Sequence, residues 1–116
     1  MDLTSFAHWR LRLSSVESNL IGAESDIRLR ILLILLLNRT TTDRKTLLSH
    51  FKLDRITMRS YINALIDETL IIASESATDR RQKHYSLTHK GITLMKTYRD
   101  QALKITFVTA ETETSK

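Results

Sequence analysis

Phe6, Trp9, Leu13, Val16 and Leu20 recur at alternating spacings of three and four, which predicts one apolar stripe on a helix over 2–21. Asp2 or Thr4 can cap its start and Gly22 can stop it, while Arg10, Ser14, Glu17 and Ser18 fall on the opposite face. A second helix over about 26–38, capped by Ser25, carries the longest apolar run, Ile31 to Leu37. Apolar on every face, it is expected to run enclosed through the middle of a small helical domain. The β-branched Thr40 to Thr42 that follow are consistent with one short strand.

Asp43 is placed to cap a short helix over 44–51 that points Leu47, Leu48 and Phe51 inward. After a break at Lys52-Leu53, Asp54 is placed to cap a helix over about 55–69. Met58, Tyr61, Ile62, Leu65 and Ile66 form its apolar face, with Arg55, Thr57, Arg59, Ser60 and Asn63 pointing away. Two helices joined so briefly, the second polar and basic outside, make a helix-turn-helix pattern. Residues 70–76 and 83–88 read as the arms of a β-hairpin with a polar tip, and Tyr85 and Leu87 alternate with polar neighbours. Thr88 caps a last helix, 89 to about 107, with Ile92, Met95, Tyr98, Ala102 and Ile105 on one stripe. The Thr/Glu/Ser-rich residues 109–116 are expected to form a flexible tail after a single domain over 1–108.

Composition narrows the function. The chain has 116 residues, no Cys, no Pro and two Gly, Gly22 and Gly91. Thiol catalysis, thiolate metal sites and Gly-rich phosphate loops are therefore excluded. His8, His50, His84 and His89 have no metal-ligand spacing, and no Ser/His/Asp arrangement has a supporting context, so neither a metal, a cofactor nor an enzyme activity is expected. The seven-residue apolar run is far short of the ~20 residues that cross a bilayer, so the membrane is not an expected partner and a cytoplasmic, nucleoid-associated location is. The net charge of +5 is unevenly placed: residues 1–38 and 97–116 are each neutral, whereas 39–96 hold eleven Lys and Arg against six Asp and Glu. All of the excess falls where the helix-turn-helix and hairpin are predicted.

A helix-turn-helix, a hairpin and a Thr-capped helix follow the order of a winged helix, mainly α with a small β-hairpin (α+β). One helix fits a major groove of duplex DNA, and the hairpin reaches neighbouring phosphates or the minor groove. On this reading Arg55 and Ser60 sit on the recognition face, Arg59 can pair with guanine, Asn63 with adenine, and Ile56 or Thr57 can touch a thymine methyl. Arg44, Lys45, Lys52 and Lys83 lie near phosphates, which position the protein without specifying sequence.

The stretch Leu47-Leu48, then Phe51 through Leu65, then Leu70-Ile71 resembles the helix-turn-helix of MarR-type regulators. Asp79-Arg80-Arg81 is similar to that family's Asp-x-Arg wing motif, and Leu87-Thr88-His89-Lys90-Gly91 to its Leu-Thr-x-x-Gly helix start. The resemblance covers roughly 25–98 and implies that Arg81, braced by Asp79, enters the minor groove with Arg80 beside it. It also implies a homodimer joined by terminal helices, which suits Phe6, Trp9, Leu13, Val16, Leu20, Tyr98 and Ile105. Lys52 and Thr69 stand where the family often has Gly, tolerable at negative φ or at modest strain. The chain is shorter than typical members, with the C-terminal dimerisation element trimmed, and any small-molecule effector is left unnamed. The expected function is a sequence-specific repressor that binds palindromic duplex DNA as a homodimer. The rivals are a winged-helix protein–protein adaptor, which has no need of an Arg- and Asn-bearing outer face, and a plasmid or phage replication or partition protein.

Overall fold

The computed structural model describes residues 2–21, 26–38, 41–75 and 83–114, with side chains described outside 16–21 and 104–114. Its elements in chain order are α1 (Leu3–Ile21), α2 (Ile27–Leu37), β1 (Thr42–Asp43), α3 (Arg44–Ser49), α4 (Arg55–Asp67), β2 (Ile71–Glu75), β3 (Lys83–Leu87) and α5 (His89–Thr114).

Local chemistry sets most of the helix starts. The Asp2 carboxylate accepts the Ser5 N–H at 2.7 Å, Asp43 that of Thr46 at 2.6 Å and Asp54 that of Thr57 at 2.7 Å. Each satisfies a donor that the first helical turn leaves without an intrahelical partner. At α2 the observed cap is Asp26, which accepts the Leu29 N–H at 3.2 Å. The expected cap, Ser25, lies outside the described residues. Thr88 caps α5 in two directions: its Oγ1 accepts the Gly91 N–H at 3.0 Å and donates to the Thr69 carbonyl at 2.6 Å.

Helix α2 is enclosed as expected: Ile27, Ile31, Leu32, Leu33, Ile34 and Leu35 are all buried. Around it pack α1, α4, α5 and β3, and Leu47, Phe51, Met58, Ile62, Leu65, Ile71, Tyr85 and Met95 complete the core. The hairpin arms pair antiparallel with Ile71 opposite Leu87 and Ala73 opposite Tyr85. The short strand joins them, Thr42 opposite Tyr85 and Asp43 opposite His84, to give a three-stranded sheet in the order β1-β3-β2. Tyr85 therefore sits on the central strand, and the sheet ties the start of α3 to the hairpin.

Two expectations are corrected, the polar face of α1 and the end of α5. Helix α1 buries only part of its apolar stripe within the chain. It packs on α2 and α5 through Phe6, Ala7 and Ser14, all buried, while Trp9 and Leu13 remain 43% and 38% exposed. Ser14, expected on the polar face, is instead fully buried. Helix α5 runs on to Thr114, past the expected end at 107 and through most of the expected tail. The turn after α4 has a left-handed residue: Thr69 has φ 60°, so of the two positions where the family often has Gly, Thr69 carries the strain and Lys52 does not.

Candidate nucleic-acid interface

Helix α4 is anchored by Met58, Ile62 and Leu65, all buried, and this fixes which residues face away from the core. Arg55, Ile56, Arg59, Ser60 and Asn63 are exposed, and Thr57 is half-buried with its N–H taken by Asp54. Ile56 is 81% exposed, the most exposed of the large described hydrophobics. It adds an apolar side chain beside two arginines, so this face can also meet apolar surface on a partner. The major groove has such a surface in the thymine methyl groups.

The capping carboxylates are themselves tuned by this geometry. The Thr57 N–H holds the Asp54 carboxyl below its usual range, and the Thr46 hydrogen bonds do the same for Asp43. Both helices of the helix-turn-helix are therefore capped by ionised groups at neutral pH.

Between α4, the first residue of α3 and the hairpin arms lies a groove of about 380 Å³. Arg44, Arg59, Asn63, Lys83 and Tyr85 line it, and no carboxylate does so among the described residues. Arg59 and Asn63 are four apart on α4 and so face the groove together. Of the residues expected near phosphates, Lys45 and Lys52 are exposed and stand apart from this groove, whereas Arg44 is half-buried. Its Nε and Nη2 donate to the Tyr85 Oη at 3.2 and 3.1 Å. Sequence reading identified Tyr85 as an inward strand residue and gave no sign of its hydroxyl's role. The partner at position 44 is far away in the chain, and only the β1–β3 pairing brings the two together. The wing residues Asp79, Arg80 and Arg81 lie outside the described residues; Lys83, at the start of β3, is exposed.

The sequence profile of the winged helix-turn-helix family matches residues 24–105, most of the chain. The chain belongs to the winged helix-turn-helix family. No curated protein sequence matches it. Among solved structures, MepR from S. aureus in its DNA-binding conformation is similar at 18% identity and TM-score 0.60, over 93% of this chain and 81% of MepR. A SlyA-like transcription regulator from Listeria monocytogenes matches at 19% identity and TM-score 0.57, over 85% of this chain and 64% of that one. A variant of ZitR from Lactococcus lactis matches at 22% identity and TM-score 0.51, over 81% and 80%. The chain shares the fold of these solved structures.

In this winged helix-turn-helix protein the pairing residues expected on the terminal helices divide by burial. Phe6 is fully enclosed within the single chain, its ring 5.9 Å from Trp9 and 5.7 Å from Tyr98. It is core, whereas Trp9 and Leu13 beside it are exposed. Tyr98 is half-buried and accepts a hydrogen bond from Arg10 Nε at 3.3 Å. The side chains of Val16, Leu20 and Ile105 lie outside the described residues.

A polar clasp holds the joint between α4 and β2. Arg28 on α2 pairs with Glu68, and Lys90 on α5 donates to the Glu68 carbonyl at 3.1 Å and to Thr69 Oγ1 at 3.3 Å. Gly91 is required by the same joint. A Cβ there would sit 2.2 Å from the Leu70 carbonyl oxygen, which also accepts the Thr88 N–H at 3.1 Å. The Leu-Thr-x-x-Gly signature is thus a packing constraint that brings the start of α5 against the root of the wing.

Proposed function

We propose that this chain is a sequence-specific regulator of transcription, a repressor that binds palindromic duplex DNA as a homodimer. The observation that carries it is the outward face of α4. Arg55, Ile56, Arg59, Ser60 and Asn63 are all exposed on a helix whose other side is locked into the core. Such a face offers fork-shaped donors for guanine, an amide for adenine and an apolar contact for thymine on one rigid rod. The wing would place Arg81, braced by Asp79, in the adjacent minor groove, where a narrow groove concentrates negative potential. Lys45 and Lys52 would contact flanking phosphates. A second copy would set the two recognition helices about 34–36 Å apart, one turn of DNA. Among the described residues no helix is long and apolar enough to cross a membrane, in keeping with a cytoplasmic regulator at the nucleoid.

The test is selection of bound duplexes from a genomic fragment library, followed by titration of a selected duplex at two salt concentrations. The reading requires inverted half-sites one turn apart, affinity that falls steeply with salt, and a loss of affinity at most sites on Arg81→Ala. Binding that ignores sequence, or none at all, defeats it.

A further inference from the structure

The groove between α4 and the hairpin arms has three cations and no carboxylate among its described lining residues. The three are not equally committed to it. Lys83 has Glu75 directly opposite on β2, an acidic neighbour that competes for its ammonium. Arg59 is exposed and rooted on the recognition helix. Arg44 differs from both: it is half-buried, and two of its N–H groups are fixed on the hydroxyl of Tyr85. Tyr85 is itself only 2% exposed, on the central strand of the sheet. Its ring cannot move without repacking the core, so its oxygen is a rigid post. Across from it on β2 stands Ala73, whose small side chain lines the groove and leaves its floor open.

We propose that this groove seats a single backbone phosphate of the bound duplex, and that Tyr85 is a positioning residue that aims Arg44 at it. The proposal rests on the DNA-binding reading above. If α4 lies in a major groove and the wing in the minor groove beside it, the strand separating those grooves must pass between them. That is where this groove lies. With Nε and Nη2 held on the Tyr85 oxygen, Arg44 keeps further N–H groups to donate. A phosphate oxygen is the matching acceptor-only partner. Arg44 is thus more than an exposed basic residue near DNA: its guanidinium is held in place before DNA arrives, and little side-chain freedom is lost on binding.

Fluorescence anisotropy with a selected duplex over a range of salt concentrations tests this on the full chain. Tyr85→Phe keeps the ring and removes only the post. It should weaken binding roughly tenfold at all sequences and lower the log–log salt slope by about 0.9, the loss of one phosphate contact. Arg44→Ala should do the same, and the double variant should bind no more weakly than Arg44→Ala alone. Arg44→Lys retains the charge but cannot place two N–H groups on one oxygen. It should fall close to Arg44→Ala, and it keeps the test available if Tyr85→Phe folds poorly. Wild-type affinity in Tyr85→Phe or Arg44→Lys overturns the proposal while leaving DNA binding intact, as does a loss that is additive with Arg44→Ala at unchanged salt slope. Failure of the wild-type chain to bind any duplex removes the DNA-binding reading, and this inference with it.

Discussion

Leu70 is flanked by two residues whose backbone demands are opposite. Thr69, just before it, is a β-branched residue at φ 60°. The left-handed region costs an L-residue roughly 1–2 kcal/mol, and glycine there avoids that cost but brings about 0.5–1 kcal/mol of extra unfolded-state freedom. Thr69→Gly should therefore stabilise the protein by about 0.5 kcal/mol. Gly91 is the reverse case, because a β-carbon would press on the Leu70 carbonyl at 2.2 Å and that oxygen is backbone with nowhere to go. Gly91→Ala should cost about 2–3 kcal/mol, the range for overfilling a packed site. Urea denaturation of the two variants reads both signs. A Thr69→Gly protein less stable by a full kcal/mol would mean that the hydroxyl's bonds with Lys90 and the Glu68 carbonyl outweigh the backbone conformation. The sequence shows a Thr at a turn and a Gly at a helix start. It does not show which needs to be small, because that depends on how closely α5 approaches Leu70.

At the scale of elements, legibility follows the range of the interaction. The caps at Asp43 and Asp54 and the inward faces of α3 and α4 are local, encoded within one or two turns, and the structure has them where the spacing predicts. The pairing of β1 with β3, and with it the Arg44–Tyr85 bond, joins residues about forty positions apart and leaves no local trace. The burial of Ser14 on α1 has a similar cause: periodicity marks an apolar stripe, but cannot say which face α2 and α5 will cover. The caps also set a pH dependence. Asp54 is held below its usual pKa by the Thr57 N–H, so the stability it contributes is complete above the ordinary Asp value near 4 and disappears as pH falls through the lower folded value. Asparagine accepts the same N–H without titrating. In urea midpoints taken at pH 7 and pH 3, Asp54→Asn should therefore lose less on acidification than wild type does. An equal loss in both proteins would show that the cap's ionisation is not coupled to folding.

At the scale of the whole molecule, the shape itself asks for a partner. The chain has a radius of gyration of 16.0 Å and extends 60 × 32 × 22 Å, whereas a compact domain of this length has a radius of about 13 Å. Helix α5 accounts for this, since 26 residues of α-helix span about 39 Å. A helix that long needs more neighbours than one small core supplies. On α1, Trp9 and Leu13 lie one turn apart and stay exposed while Phe6 beside them is buried. Single exposed hydrophobics are ordinary, but a tryptophan and a leucine stacked on one face of a terminal helix form a patch that a second copy can cover. Replacing both, Trp9→Ser with Leu13→Glu, removes no fully buried side chain, and despite the loss of the Trp9 ring's packing on Phe6 it should leave the fold intact by circular dichroism. In sedimentation the wild type should run as a dimer and the variant as a monomer. Non-covalent pairing of the two protomers is what makes the second half-site contact effectively intramolecular, so the variant should lose about 10²-fold or more on a palindromic duplex while binding a single half-site as wild type does. A variant that remains dimeric would place the interface elsewhere on α1 and α5. One that is monomeric yet binds the palindrome as tightly as wild type would separate pairing from DNA recognition altogether.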